Sequence, residues 1–169
     1  VIEPKVFPDQ RGFFMETWRE DMFQQVGLNY SFIQENHSKS SAGILRGLHY
    51  QIKQAQGKYI RVVAGEIYDV AVDLRRSSAS FGKWTSEYLS AENKKALWVP
   101  PGFAHGFFVT SEVAEVTYKC TEYYAPEYER SLLWNDPALG IDWPIEDIEV
   151  ILSEKDRNGV PLADAETYV

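Results

Sequence analysis

Short apolar segments bounded by glycine and proline run through most of this chain, and they constrain its fold more than any other feature. Residues 59–64 (YIRVVA) and 67–74 (IYDVAVDL) are rich in β-branched and aromatic side chains, and Gly65-Glu66 lies between them as a turn. Many short strands with this punctuation predict a mainly β fold: a sandwich, a barrel or a jelly roll. The further strand candidates are residues 31–38, 44–51, 84–90, 96–99, 105–110 and 113–124.

Two short helices are expected beside the strands. Residues 19–26 have a helical pattern that ends at Gly27. A second helix is predicted after Ser153, which would cap it. A chain of 169 residues without a linker or a repeat fits one domain, so we expect residues 1–169 to fold as a single unit.

Charge and cysteine content narrow the class of protein. The net charge of −8 argues against a nucleic-acid surface, although local cations could still bind a small anion. Cys120 is the only cysteine, so an intramolecular disulfide is impossible and a buried, inert thiol in a cytoplasmic protein is expected. No apolar run is long enough to span a membrane and no signal peptide is visible, but the chain begins at Val1 without a methionine, which leaves targeting undecided.

Two histidines in a predicted β fold raise the question of a metal site. Residues 100–105 (PPGFAH) fit the P-x-G-x-x-H pattern of the second cupin motif. The first cupin motif needs H-x-H followed by Glu, whereas this chain has His49-Tyr50-Gln51 and no Glu before Glu66. Two histidines without a third ligand make a poor site for Zn²⁺ or Fe²⁺. We therefore expect a cupin-like pocket without a metal.

His49 is the best candidate for a general base, because the ordinary pKa of histidine is near 6.5. Taken alone, a core histidine held by backbone hydrogen bonds is the more frequent case. Arg46 and Lys58 favour a functional site, since packing does not require two cations near one histidine. Strict alternation puts Arg46 on the opposite face from His49, unless a bulge at Gly47 changes this. The pattern leaves that point open.

Three further residues could complete a proton-transfer site. Tyr118, on the inward face of its strand, could act as an acid, although a strand tyrosine is usually a core residue. Lys58 could stabilise an enolate, against the commoner case of a solvated lysine at a strand end. Asp156 could orient His49, against the alternative of a carboxylate that starts a helix.

These motifs make the chain similar to a known family. It resembles the dTDP-4-dehydrorhamnose 3,5-epimerases, which are metal-free, cupin-type enzymes of deoxysugar nucleotide biosynthesis. The resemblance runs almost from end to end. The matching segments are residues 7–14 (FPDQRGFF), 34–38 (QENHS), 46–51 (RGLHYQ), 69–75 (DVAVDLR), 97–107 (LWVPPGFAHGF), 118–124 (YKCTEYY), 134–137 (WNDP) and 140–144 (GIDWP).

The resemblance implies a jelly-roll homodimer that inverts C3 and C5 of dTDP-4-dehydro-6-deoxy-D-glucose for dTDP-rhamnose synthesis. It assigns the base to His49, the acid to Tyr118, the carboxylate that pairs with the base to Asp156, and the lysine beside the substrate carbonyl to Lys58. It implies substrate-binding roles for Arg11, Glu16, Gln34, Asn36, Arg46, His105, Glu129 and Lys155. In relatives some of these, notably the early arginine, reach into the site of the other subunit.

The chemistry implied in this way needs neither nicotinamide nor a metal. The 4-keto group acidifies the hydrogens on C3 and C5, so one base and one acid on opposite ring faces can invert each carbon. A carboxylate at Asp156 would orient His49 and make it more basic. Three alternatives remain open: a relative that inverts only C3 or only C5, a metal-dependent cupin oxygenase, and a binding module that performs no catalysis.

Overall fold

The computed structural model describes residues 1–146 and 148–169. The strands and helices follow the chain in this order: β1 (Val6–Asp9), β2 (Gly12–Met15), α1 (Glu20–Gln25), β3 (Gln34–Ser41), β4 (Leu45–Gln51), β5 (Lys58–Ala64), β6 (Glu66–Asp73), β7 (Trp84–Ser90), β8 (Ala96–Val99), β9 (Phe103–Val109), β10 (Val113–Cys120), β11 (Glu129–Ser131) and α2 (Glu154–Arg157). Single 3₁₀ turns lie at Pro126–Tyr128 and Leu162–Asp164.

Two antiparallel sheets pack face to face and form the body of the molecule. A four-stranded sheet has the order β3-β10-β5-β8, and a five-stranded sheet has the order β11-β4-β9-β6-β7. Apolar side chains from both sheets meet between them, among them Ile60 and Val116 from the first sheet and Ile67 and Phe107 from the second. The predicted mainly β, cupin-type jelly roll with a few short helices is confirmed. It takes the form of a sandwich, and these two sheets do not close into a barrel.

The segment after β11 covers the outer face of the five-stranded sheet. Leu132, Leu139 and Trp143 pack there against a buried cluster that includes Val70 and Phe108. Strand β6 is therefore buried on both faces, which explains why its sequence is almost continuously apolar. The same covering segment carries α2 to the edge of β4, through a parallel bridge between Ile44 and Ile151.

The N-terminal region covers the outer side of the four-stranded sheet less completely. Phe23 of α1 packs edge to face on Tyr59 of β5, with ring centroids 5.3 Å apart. Among the residues that the structure describes, β1 and β2 pair with each other as a separate two-stranded sheet. Their hairpin leaves Phe7, Phe13 and Phe14 exposed by 48%, 57% and 70%. An apolar surface of this kind is unusual on an isolated chain.

The predicted elements are found, with shifted ends. Residues 84–90 and 96–99 form strands with the predicted bounds, whereas the strand expected at 31–38 runs from Gln34 to Ser41, because β3 pairs with β10 along its whole length. The strand expected to reach residue 124 ends at Cys120. Ser153 caps α2 as predicted, since its hydroxyl accepts a hydrogen bond from the Asp156 amide at 3.1 Å. Neither helix in the described part of the chain is long and apolar enough to cross a membrane.

Candidate active site

A polar cleft opens at one end of the sandwich, between the two sheets. It consists of adjoining cavities of about 280 and 240 Å³ that share five lining residues, namely His49, Lys58, Tyr118, Tyr124 and Glu129. His49 comes from β4 in the five-stranded sheet, whereas Lys58 and Tyr118 come from β5 and β10 in the four-stranded sheet. The sandwich therefore places the two candidate proton-transfer residues on opposite walls of the cleft.

His49 is paired with Asp156 of α2. The Nε2 atom of His49 lies 2.5 Å from Oδ1 of Asp156, and the Asp156 side chain is only 4% exposed. The backbone amide of Asp156 donates to the hydroxyl of Ser153, which caps α2. This bond fixes the first turn of the helix and therefore the position of the Asp156 carboxylate. Asp156 thus lies in the first turn of a helix and also bonds the histidine, so the two roles weighed from sequence are compatible.

Burial and charge act on this pair in opposite directions. Burial lowers the pKa of His49 below its ordinary value and outweighs the hydrogen bond and charge of Asp156, which raise it. The expected gain in basicity from the carboxylate is therefore present as one contribution, but the net shift of this pKa is downward. For Asp156, burial favours the protonated acid, yet the hydrogen bond and charge of His49 bring the pKa of this carboxyl below its usual range. The result is a neutral imidazole beside a carboxylate at neutral pH.

An irregularity at Gly47 brings Arg46 into the cleft with His49. The pairing of β4 with β9 shifts register between Arg46 and His49, which is the bulge that alternation alone left open. Gly47 has a φ of 118°, and a Cβ there would lie 2.6 Å from the Cα of Gly106, so both backbone shape and space require glycine. Arg46 lines the same cavity as His49, and its Nε donates to Ser40 Oγ at 2.9 Å.

The wall opposite His49 carries Lys58 and Tyr118. Burial lowers the pKa of the Lys58 ammonium, with opposing contributions from nearby acidic groups. Burial raises the pKa of the Tyr118 hydroxyl, and the proximity of Arg46 only partly offsets this. Tyr118 lies on the same face of β10 as the buried Val116 and Cys120, as predicted, and so points between the sheets.

His105 forms a second histidine–carboxylate pair, which is buried deeper than the first. Its Nε2 atom lies 2.9 Å from both carboxylate oxygens of Asp69, and the side chains are 8% and 0% exposed. Strands β9 and β6 are neighbours, with His105 opposite Ala71 and therefore two positions along from Asp69. Asp69 was not among the predicted site residues. A carboxylate inside the apolar run of β6 was the available signal, because such a charge needs a buried partner.

The mouth of the cleft is lined by Glu129, Lys155 and Tyr124. Lys155 Nζ donates to Glu129 Oε1 at 2.7 Å, and the Tyr124 hydroxyl donates to Glu129 Oε2 at 3.0 Å. Burial alone would raise the pKa of Glu129, but these two partners lower it below its ordinary value. Tyr124 was also absent from the predicted site, since it follows β10 in a segment that had been predicted to continue the strand.

Gln34 and Asn36 lie side by side on the inward face of β3. The Gln34 amide donates to Asn36 Oδ1 at 3.2 Å and accepts from the backbone of Tyr124 at 2.8 Å. The Asn36 amide lies 3.7 Å from Cys120 Sγ. Cys120 is fully buried, as predicted, and burial raises the pKa of its thiol.

Two predicted binding residues lie away from this cleft. Arg11 is at the tip of the β1–β2 hairpin, with an 86% exposed side chain that pairs with Asp9 at 2.5 Å. Glu16 lines a separate cavity beside α1, where it lies 3.7 Å from Arg19. The other predicted residues, Gln34, Asn36, Arg46, His49, Lys58, His105, Tyr118, Glu129, Lys155 and Asp156, line the cleft or pair with a residue that does. Among residues 1–146 and 148–169, no group of three His, Cys, Asp or Glu side chains is placed to hold a metal ion.

Comparison with known proteins places this chain in a family. The model of the dTDP-4-dehydrorhamnose 3,5-epimerase family matches residues 1–164. The chain is 57% identical over 169 residues to the dTDP-4-dehydrorhamnose 3,5-epimerase of Pseudomonas aeruginosa, and the match covers 99% of this chain and 93% of that protein.

Solved structures agree with the sequence match. A dTDP-6-deoxy-D-glucose-3,5-epimerase of Legionella pneumophila, in complex with dTDP-4-keto-L-rhamnose, aligns with a TM-score of 0.94 and 48% identity over 97% of this chain and 87% of that one. A 3'-monoepimerase of Streptomyces bikiniensis, in complex with dTDP-quinovose, aligns with a TM-score of 0.89 and 38% identity over 96% of this chain and 82% of that one. This protein, with its histidine–aspartate pair facing a tyrosine across a polar cleft, therefore belongs to the dTDP-4-dehydrorhamnose 3,5-epimerase family of isomerases.

Proposed function

We propose that this enzyme converts dTDP-4-dehydro-6-deoxy-D-glucose to dTDP-4-dehydro-L-rhamnose, with His49 as the base and Tyr118 as the acid. The observation that carries these roles is the placement of His49, held by Asp156, on the wall of the cleft opposite Tyr118. Inversion at carbon requires removal of a proton from one face of the ring and its return on the other.

His49 suits the first step. Its Nε2 atom bonds Asp156, so the other ring nitrogen is the one that accepts the proton from C3 or C5. Because the pKa of His49 is below its ordinary value, the imidazole is in its basic form at neutral pH. Asp156 then stabilises the imidazolium that forms after the transfer.

Lys58 and Tyr118 suit the remaining steps. Removal of a proton beside the ketone places negative charge on the 4-keto oxygen, and the Lys58 ammonium lies in the same cleft to stabilise that charge. Tyr118 keeps its proton at neutral pH, since burial raises its pKa, and delivers it to carbon on the far face. No step in this sequence requires a metal or a nicotinamide cofactor.

The remaining polar residues of the cleft bind the dTDP-linked sugar. Arg46 and Lys155 supply positive charge for a diphosphate, and a guanidinium suits phosphate oxygens especially well. Amide side chains at Gln34 and Asn36 offer donors and acceptors to the nucleotide or the sugar. The remaining binding residues in this proposal are His105 and Glu129.

We further propose that the enzyme is a homodimer whose sites are shared between subunits. Arg11 and Glu16 lie outside the cleft of their own chain, and Arg11 sits at the end of a hairpin whose phenylalanines are exposed. A second copy that covered these rings would bury apolar surface and bring Arg11 to the cleft of that second copy.

Residues 1–169 form a single cupin-like domain in this proposal, because one apolar core lies between the two sheets and receives side chains from both. A cytoplasmic location suits the lone buried thiol of Cys120.

Incubation with the dTDP-linked ketosugar in D₂O, followed by NMR, tests the proposed reaction. Double epimerisation incorporates deuterium at C3 and at C5 and yields the L-configured product. Exchange at neither carbon contradicts the proposal. Exchange and inversion at only one carbon favour the single-site alternative, which is relevant because the similar Streptomyces bikiniensis protein is a 3'-monoepimerase.

A further inference from the structure

The inward face of β3 is a row of four polar residues. Gln34, Asn36, Ser38 and Ser40 alternate with exposed residues along the strand and point between the sheets. Successive members of such a row lie roughly 6.8 Å apart, because side chains on one face recur every second residue. The row therefore runs along one wall of the cleft.

Three members of this row have hydrogen-bond partners within the protein. Gln34 and Asn36 bond each other, and Ser40 Oγ accepts from the guanidinium of Arg46 at 2.9 Å. The Ser38 hydroxyl differs. Its oxygen is buried and has no hydrogen-bond partner in the described part of the chain. A buried hydroxyl that remains unpaired is costly, so the rarity of such groups makes this one informative.

The position of Ser38 points to the reacting end of the substrate. Ser38 lines the cavity that contains Arg46, His49, Lys58 and Tyr118. The last three also line the adjoining cavity, so Ser38 lines the same cleft as the reacting residues. On β10 its direct neighbour is Val116, two residues from Tyr118. Rotation about a single bond is enough to turn a serine hydroxyl toward a ligand, so a substrate in the cleft can satisfy it.

We propose that Ser38 is a specificity-determining residue whose hydroxyl bonds the C2 hydroxyl of the sugar. The inference rests on the proposed epimerase function. A 4-keto-6-deoxyhexose attached to a nucleotide through C1 has ring hydroxyls only at C2 and C3. The C3 hydroxyl changes its direction when C3 is inverted, and the ketone at C4 is the group that Lys58 stabilises. The C2 hydroxyl keeps its configuration throughout, so it is the one hydroxyl that a fixed side chain can hold during the whole reaction.

A comparison of two proteins with two substrates tests this role. We would measure kcat/KM for the wild type and for Ser38→Ala, each with the dTDP-linked ketosugar and with its 2-deoxy counterpart. The wild type is expected to prefer the full substrate by about tenfold, the effect of one unpaired polar group. Ser38→Ala is expected to lose about tenfold on the full substrate. It should also discriminate between the two substrates by less than about twofold, since its preference has been removed.

Matched controls separate this role from a structural one. Ser41→Ala changes an exposed serine of the same strand and should leave both substrates unaffected. Calorimetric binding of dTDP alone should be equal for the wild type and Ser38→Ala, because dTDP lacks the 4-keto-6-deoxyhexose whose C2 hydroxyl Ser38 bonds. The inference is overturned if Ser38→Ala loses affinity for dTDP by the same factor as it loses kcat/KM on the full substrate. It is also overturned if Ser38→Ala still prefers the full substrate over the 2-deoxy substrate as strongly as the wild type does.

The wild type alone provides a further test, which holds even if Ser38→Ala folds poorly. Equal kcat/KM for the full and 2-deoxy substrates overturns the role of Ser38. In contrast, failure of the wild type to exchange or turn over the full substrate would refute the proposed function itself. The two failures are thus distinguishable.

Discussion

The Nε2 atom of His49 lies 2.5 Å from Oδ1 of Asp156, and this contact joins β4 to α2 across 107 positions of the chain. The Asp156 side chain is almost completely buried, whereas that of His49 is 24% exposed toward the cleft. Asp156 is therefore shielded from solvent, whereas the ring of His49 remains accessible to a substrate in the cleft. This geometry leads to the first three predictions.

Replacement of His49 by alanine should lower kcat by roughly 10²–10⁴-fold, because no other group in the proposed mechanism can take its role as a base. Deuterium incorporation at C3 and C5 should fall in parallel when the reaction is run in D₂O. His37→Ala is the matched control, since His37 is 54% exposed on the outer face of β3. Equal losses in the two variants would contradict the assignment.

The pH profile should be broad, with its acid limb set by His49. Activity is lost as pH falls and the imidazole becomes protonated, and the pKa of His49 lies below its ordinary 6.5, so the midpoint should lie below pH 6.5. Tyr118 and the Lys58 ammonium must both stay protonated. The pKa of Tyr118 lies above 10.0, whereas burial lowers the pKa of Lys58 below 10.5, so the alkaline midpoint should lie below pH 10.5. The measurement is kcat/KM against pH, provided that the protein remains folded. An acid midpoint above pH 6.5 would contradict the conclusion that burial lowers the pKa of His49.

Asp156→Asn should both slow the enzyme and shift the acid limb. Burial of His49 remains while the charge that raises its pKa is removed, so the midpoint should move to lower pH. We expect kcat to fall by roughly 10²–10⁴-fold, because an amide does not stabilise the imidazolium. Glu154→Gln, an exposed carboxylate in the first turn of the same helix, should leave the midpoint unchanged. A shift of the midpoint to higher pH would exclude the proposed charge coupling.

Tyr118→Phe should separate exchange from inversion. His49 can still remove and return a proton on its own face, so deuterium should still enter the substrate while inverted product forms slowly or incompletely. NMR of the product mixture measures both quantities in one sample. Tyr88→Phe removes a hydroxyl from a 43% exposed tyrosine of β7 and provides the control. Complete inversion at the wild-type rate by Tyr118→Phe would rule out Tyr118 as the acid.

Shared sites predict complementation between two defective proteins. In a mixed dimer of His49→Ala with Arg11→Ala, one cleft combines an intact His49 with an intact Arg11 from its partner. Statistical mixing should therefore restore about a quarter of the wild-type rate. If Arg11 serves the cleft of its own chain, mixing restores no activity.

Sedimentation should show a dimer for the wild type and a smaller species for Phe14→Glu, which replaces a 70% exposed ring of the hairpin with a charged side chain.

Much of the fold was predictable because its signals are local. Alternation along residues 113–124 assigned Tyr118 and Cys120 to the inward face, and the structure confirms this. Ser153 was recognisable as a helix cap because capping is also local: its hydroxyl bonds the amide of a residue only three positions along the chain. Backbone geometry fixes these periodicities within a few residues, so they survive without knowledge of the rest of the chain.

The assembly of the site depended on contacts between distant segments. The residue pattern alone favoured a helix-start carboxylate at Asp156, and the role of this residue beside His49 came from resemblance to a family. The same pattern left open which side of β4 carries Arg46, because only the strand pairing with β9 decides whether a bulge lies at Gly47. Asp69 was not predicted at all, because its partner His105 lies on another strand.

The sequence by itself determined a mainly β chain, the inward or outward direction of most strand residues, and a set of groups able to move protons. The tertiary structure decided which of them meet: His49 with Asp156, His105 with Asp69, and Tyr118 across the cleft from His49. It also placed Arg11 outside the cleft of its own chain. The physical reason is that side-chain direction follows from local backbone geometry, whereas the partners of a side chain follow from how sheets pair and which apolar faces they bury.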